Sequence, residues 1–305
     1  MPGSIDPRYD VSSAISLGQR DCQEDAIICD FPIGSSLGFA VLSDGMGGHA
    51  AGDVASKIVV TEVFSELKLQ SGDQQELEDE IGEILRAAVM AANECISAQA
   101  NCDPATKGLG ATLVAPVLMQ DRLYWISVGD SPLLLYRNGT LSQLNEDHSM
   151  APQIDFLARS GLMDEDHART HPNRGCLTSV LAGQQISRID CPAKPMQMMD
   201  GDIIIAASDG LQFLDNTTIS NLLAQHGDGS SAEIAAELMR GLNELNDPDQ
   251  DNISFCVIKV SVPAQASEID QTVIPMTAQS PAEVRVSSSG SGRSVEMQYS
   301  PESRA

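Results

Sequence analysis

An α+β fold with antiparallel strands is what this sequence predicts, and three observations carry the expectation. After two stretches of helical spacing the apolar period changes at Gly108. Residues 111–118 and 122–129 then read as strands around Met119-Gln120-Asp121, and 133–137 joins 140–144 through Asn138-Gly139, a strong hairpin turn. Consecutive strands joined by tight turns make an antiparallel meander. Finally, two apolar runs, 38–43 and 202–208, each close on Ser-Asp-Gly, so two buried strands deliver a carboxylate at one end.

In chain order, residues 1–10 read as a loose leader and Val11 to Leu17 as a weakly alternating edge strand. Arg20 and Glu24 have the spacing of a helical ion pair, worth a few tenths of a kcal/mol. Behind the Asp44-Gly45 turn, Ala55, Ile58, Val59, Val63 and Leu67 predict an amphipathic helix to about Leu69. Asp73 and Glu76 form a capping box for a second helix, whose face is Leu77, Ile81, Ile84, Leu85, Ala88, Ala92, Cys95 and Ile96. A short helix is expected over 154–160 before Gly161, and a polar loop or flap over 164–176. Ile219, Leu222 and Leu223 mark another helix, and Ser230 with Glu233 caps the next, stopped by Asp247-Pro248. Ile253 to Val260 is the last strand, and beyond Pro263 periodicity vanishes into a Ser-, Pro-, Gly- and Gln-rich stretch. The expected organisation is one domain over 1–262 and a disordered tail over 263–305.

The chain has 305 residues, 42% of them hydrophobic, and a formal net charge of −25. A polyanion at that level repels nucleic acid and anionic membrane, which excludes both as expected partners. No apolar run approaches the roughly 18 residues of a membrane span, and Met1–Asp10 carries no basic-then-apolar leader, so the cytoplasm is the expected compartment. The seven cysteines are odd in number and form no Cys-x-x-Cys pair, which predicts reduced thiols rather than a disulfide framework or zinc site.

Asp44, Asp130 and Asp209 end strands, whereas Asp251 begins one. In an antiparallel sheet those positions fall at a common rim. Clustered carboxylates stay ionised only if cations balance them, and hard divalent ions such as Mg²⁺ and Mn²⁺ take oxygen ligands. A two-ion site would acidify a bridging water for in-line attack on phosphorus, with a nearby Arg holding the phosphate oxygens. The glycine turn lacks Gly-Lys-Ser/Thr, no Gly-x-Ser-x-Gly elbow is present, and no cysteine falls in an identifiable nucleophile loop.

Five motifs in order complete the pattern: Arg20-x-x-Gln23-Glu24-Asp25, Ser43-Asp44-Gly45-Met46-Gly47-Gly48-His49, Val128-Gly129-Asp130-Ser131, Ser208-Asp209-Gly210 and Asp251-Asn252. Over roughly residues 10–260 the chain resembles the metal-dependent protein phosphatases of the PPM, or type 2C, family. His171-Pro172-Asn173-Arg174 is similar to a segment of its bacterial members. The resemblance implies a four-layer βα-sandwich: two antiparallel sheets face to face, with antiparallel helices on both outer sides. It implies hydrolysis of phosphoserine and phosphothreonine in proteins by a metal-bridging hydroxide, reversing a serine/threonine kinase. Two Mn²⁺ or Mg²⁺ ions are implied, with a weaker third site at Asp130 and Asp209. Carried over residue by residue, Asp44 bridges the two ions, the Gly45 carbonyl holds the second, and Asp209 and Asp251 bind the first. Glu24 acts through a metal-bound water, Asp25 orients that shell, and Arg20 grips the phosphate. Two departures stand out. Met46 occupies the position where many members carry a proton-donating His, with His49 three residues on, and Pro132 stands where Arg usually follows Asp130-Ser131.

Two rival readings belong to other classes: a phosphoprotein-binding pseudophosphatase, whose mark would be a missing ligand, and a small-molecule phosphoesterase on the same ions. No expected ligand is missing. In the tail, Asp270-Gln271-Thr272-Val273-Ile274 reads first as inert linker; the alternative left open is a kinase-phosphorylated docking site for a phosphothreonine-reading domain.

Overall fold

The computed structural model describes residues 8–48, 50–106 and 108–262. The readings of residues 1–7, of His49 and of the 263–305 tail with Thr272 lie outside the described residues. The chain opens with strands β1 (Arg8–Ser16), β2 (Asp25–Asp30) and β3 (Leu37–Met46), followed by helices α1 (Ala50–Gln70) and α2 (Gln74–Cys102). Strands β4 (Gly110–Ala111), β5 (Leu113–Met119), β6 (Arg122–Val128), β7 (Leu133–Arg137) and β8 (Thr140–Gln143) come next. An irregular stretch carries α3 (Ala151–Arg159), α4 (Glu165–Arg169) and β9 (Met196–Gln197). The chain finishes with β10 (Ile203–Ala207), α5 (Asn216–His226), α6 (Ser231–Leu245) and β11 (Ile253–Ser261).

The strands form two antiparallel sheets, one ordered β1-β11-β10-β7-β8 and the other β2-β3-β5-β6-β9, with β4 attached to β3. Leu42, Val114, Leu118, Trp125, Leu135, Ile204 and Ile258 fill the space between the sheets. α1 and α2 cover the outer face of the β3 sheet through Val59, Val63, Leu85 and Val89. α5 and α6 cover the β10 sheet through Ile219, Leu223, Leu238 and Leu242. Four layers result, which is the expected sandwich. The layering explains why β5 and β10 are buried at every residue: a sheet covered on both faces has no side for polar residues.

Three local expectations are corrected. The four consecutive strands are not one meander: β5 and β6 pair in one sheet, β7 and β8 in the other, and residues 129–132 carry the chain across. The Arg20–Glu24 stretch is not helical; Asp25–Asp30 behind it is a strand paired with β3, in a register that sets Asp25 opposite Asp44. Strand β1 begins at Arg8, so residues 8–10 are ladder rather than leader, Tyr9 facing Val260. At the helix ends, Ser230 and Glu233 make the full capping box. The Asp73 side chain accepts from the N–H groups of Gln75 and Glu76 as an N-cap.

The stretch 145–195 is fastened piecewise to the sheets. Leu181 bridges to Ala111 and Asp190 to Ser127. Buried Asn93 of α2 accepts from the N–H groups of Ala182 (3.1 Å) and Gly183 (2.8 Å) and donates to Gln184 O (2.7 Å). Arg174 holds Asp155 of α3 through two bonds of 2.6 and 3.0 Å.

Candidate active site

At one end of the sandwich lies a cavity of about 780 Å³. Arg20, Glu24, Asp44, Gly45, Asp130, Asp209 and Asp251 all line it. They come from both sheets: Asp44 from β3, Asp209 from the turn after β10, and Asp251 from the approach to β11. Asp130 sits in the crossover between them. Asp25, opposite Asp44 on the ladder, is buried at 4% exposure and accepts a hydrogen bond from Ser208 Oγ at 2.8 Å.

Asp44 does not end its strand. Gly45 and Met46 continue β3 by pairing with Ala111 and Gly110. Gly45 is needed for close approach rather than for a turn: a Cβ there would stand 2.0 Å from the Gly52 carbonyl oxygen and 2.7 Å from that of Glu24. Its N–H donates to Glu24 O at 3.1 Å, so the acidic loop and the strand are locked together. The Glu24 carboxylate lies against Gly52 in the first turn of α1, where the helix dipole favours negative charge. Across the cavity Gly210 plays the same part; its Cβ would stand 2.0 Å from Asn252 O.

The two sheets are joined at the rim by polar contacts. Asn252 Oδ1 accepts from the Glu24 N–H at 2.7 Å, while its Nδ2 donates to Leu17 O at 2.9 Å. Arg20, half-exposed at the mouth, donates to Asp251 Oδ2 at 2.6 Å. Thr112, Ser131 and Asn145 form a buried chain of bonds behind Asp44 and Asp130. Sequence reasoning gave no role to Thr112, Asn145 or Asn252. Their one signal was a hydroxyl or amide set among apolar strand residues or beside an acid.

The carboxylates crowd one another. Burial, aided by the other acids of the site, holds Asp44 well above the ordinary carboxylate range. Burial pushes Asp25 up to about 7 against the Ser208 hydrogen bond, and pushes Asp130 to about 7 with help from Asp209 and Asp147. Asp209 is raised by burial and by Asp251, offset partly by a hydrogen bond with Asp44 and by Arg20. Such a cluster is built for positive charge.

The residues fit a pair of hard divalent cations. Asp209 Oδ1 is buried without a hydrogen-bond partner, and the acids and the Gly45 carbonyl offer oxygen alone. Among the described residues no three His, Cys, Asp or Glu side chains are already drawn into a closed cage. Arg20 engages Asp251 Oδ2, so an oxygen that would face an ion is turned to a protein group.

A model of the protein phosphatase 2C family matches residues 15–246. The chain belongs to that family. Among curated family members it is 34% identical over 171 residues to the serine/threonine protein phosphatase PstP of Mycobacterium tuberculosis. That match covers 56% of this chain and 31% of PstP. It is 33% identical over 171 residues to the serine/threonine phosphatase stp of Listeria monocytogenes, covering 56% of this chain and 65% of that protein. The chain therefore spans about a third of the length of PstP and two thirds of that of stp. The solved catalytic domain of PstP in complex with two manganese ions aligns at 28% identity and a TM-score of 0.65, covering 84% of this chain and 99% of that one. The serine/threonine phosphatase of S. agalactiae aligns with a TM-score of 0.70 at 25% identity, over 83% and 99% of the two chains.

Proposed function

We propose that this family member is a metal-dependent protein-serine/threonine phosphatase. The observation that carries the reading is the meeting of Asp44 from one sheet with Asp209 and Asp251 from the other on a single cavity, beside Arg20. Asp44, the Gly45 carbonyl, Asp209 and Asp251 would hold two Mn²⁺ or Mg²⁺ ions, and Asp130 with Asp209 a weaker third. When bound, such ions neutralise the carboxylates and acidify a water for in-line attack on phosphorus.

The chain's own residues supply the rest. Arg20 is half-exposed and able to turn its guanidinium from Asp251 to the phosphate oxygens, where a bidentate grip orients the ester. Glu24 faces the cavity from a loop pinned by Gly45 and Asn252, and so orients water there. Buried Asp25, opposite Asp44 on the ladder and held by the Ser208 hydroxyl, would orient the water shell of the ions. Met46 lines the cavity with 43% exposure but has no proton to give, so the leaving alcohol takes its proton from water.

The proposed substrates are phosphoserine and phosphothreonine proteins, and the proposed partner is the kinase that phosphorylates them. A phosphothreonine-reading domain docking on phosphorylated Thr272 is a further proposed partner; mass spectrometry after co-expression with the kinase would show an unmodified Thr272 if that reading is wrong. Seven free cysteines support a cytoplasmic setting, and no helix among the described residues is long and apolar enough to cross a membrane. We assign the phosphatase unit to 1–262, supported by β11 ending at Ser261, with 263–305 as tail. The expected result is Mn²⁺-dependent phosphate release from a phosphothreonine peptide, abolished by EDTA and reduced about 100- to 1,000-fold by Asp209→Asn. Absence of release from peptides and from aryl phosphates at saturating Mn²⁺ would defeat the assignment.

A further inference from the structure

Thr112 stands at the joint between β4 and β5, buried, with each of its polar groups committed. Its N–H donates to Asp44 O at 2.8 Å, and its Oγ1 accepts from the Asp44 N–H at 3.0 Å. Its carbonyl accepts from Ser43 Oγ at 2.6 Å. On the other side, Thr112 Oγ1 lies 2.6 Å from Ser131 Oγ. The Ser131 carbonyl in turn accepts from Asn145 Nδ2 at 2.9 Å, and Asn145 Oδ1 accepts from the Leu133 N–H at 2.8 Å. The crossover that bears Asp130 is thus tied, through one hydroxyl, to the backbone of Asp44.

Packing reinforces the tie. Gly129, with φ of 103°, faces the Thr112 side chain so closely that a Cβ there would meet Thr112 Cγ2 at 2.6 Å. Had this position only to continue the ladder, valine would serve as well, since the two backbone bonds need no hydroxyl. The hydroxyl is what reaches both the Asp44 amide and Ser131.

We propose that Thr112 is a positioning residue, whose hydroxyl fixes Asp44 relative to the Asp130 crossover so that carboxylates from two segments are preset for the divalent ions. This rests on the metal-dependent reading above. Groups that orient ligands typically change metal affinity by about 10- to 100-fold when removed. Without the hydroxyl the Asp44 amide loses its acceptor and the crossover loses its anchor, while the apolar packing of the side chain is retained.

The test is calorimetric titration of Mn²⁺ into full-length wild type, Thr112→Val and Thr112→Ser, with kcat and KM on a phosphothreonine peptide measured alongside. Thr112→Val should weaken Mn²⁺ binding about 10- to 100-fold and leave KM for peptide at saturating Mn²⁺ within about threefold. Thr112→Ser should restore the affinity to within about threefold of wild type. Adding Ser131→Ala to Thr112→Val should cost no more than Thr112→Val alone, since the Thr112 change already breaks the link to Ser131. If Thr112→Val does not fold, Ser131→Ala alone must weaken Mn²⁺ binding. Unchanged affinity in a folded variant, with or without a lower melting temperature, overturns the proposal, as does a Ser variant as impaired as the Val. Failure of the metal-dependent reading would look different: wild type itself would bind no Mn²⁺.

Discussion

At the scale of single residues, the site depends on small side chains as much as on acids. Gly45 and Gly210 allow backbone segments to close to distances that a methyl group forbids. Gly45→Ala is expected to lower the melting temperature by several degrees and weaken Mn²⁺ binding together, because both atoms it meets are backbone carbonyls that cannot swing away. A wild-type melting curve and titration for that variant would refute this account. Arg20→Ala is expected to raise KM for peptide by about tenfold or more, the worth of a charge-assisted bond, with a smaller effect on kcat. Steady-state kinetics at saturating Mn²⁺ decide it. The acids were legible in the sequence because each follows or precedes an apolar run. The partners were not: Arg20 meets Asp251 across 231 positions, and nothing local marks that pairing, so Arg20 looked like a helical partner of Glu24. Thr112 was equally silent, as a hydroxyl inside a strand-like run has no period of its own.

Elements were read well where they are long and covered on one face. The stripe from Leu77 to Ile96 on α2 and the capping box at Ser230 follow from spacing alone, since helix burial and capping are local matters. The meander failed for a physical reason. A tight turn and a sheet-changing crossover have the same apolar–polar–apolar signature, and only packing decides whether residues 133–137 return to the sheet they left. Asn93 shows the same limit on α2: polar among apolar neighbours, it satisfies three backbone groups of a stretch that has no regular structure to satisfy them. Asn93→Leu is therefore expected to destabilise the fold by about 1–3 kcal/mol, the penalty for stranding buried donors. A urea midpoint equal to wild type would exclude that role.

For the molecule as a whole, the raised acids tie stability to pH. Asp25 and Asp130 titrate near 7 in the folded chain but near 4 when unfolded. Between those values the native state keeps protons that the unfolded chain has released, so stability falls as pH rises through this window. With EDTA present, the melting temperature should be higher at pH 5.5 than at pH 8, and Asp130→Asn should flatten the difference. Excess Mn²⁺ should offset it at the alkaline end, because binding to the native state alone adds stability. A melting temperature in EDTA that climbs from pH 5.5 to 8 would contradict this. The division of the carboxylates between two sheets has one more effect. The ion shared by Asp44, Asp209 and Asp251 would act as a removable rivet through the sandwich, joining halves otherwise held at that end by side-chain packing and a few hydrogen bonds. Amide exchange in β3, β10 and the start of β11 should then slow in concert on Mn²⁺ addition, making the clamp of one layer on the other readable strand by strand.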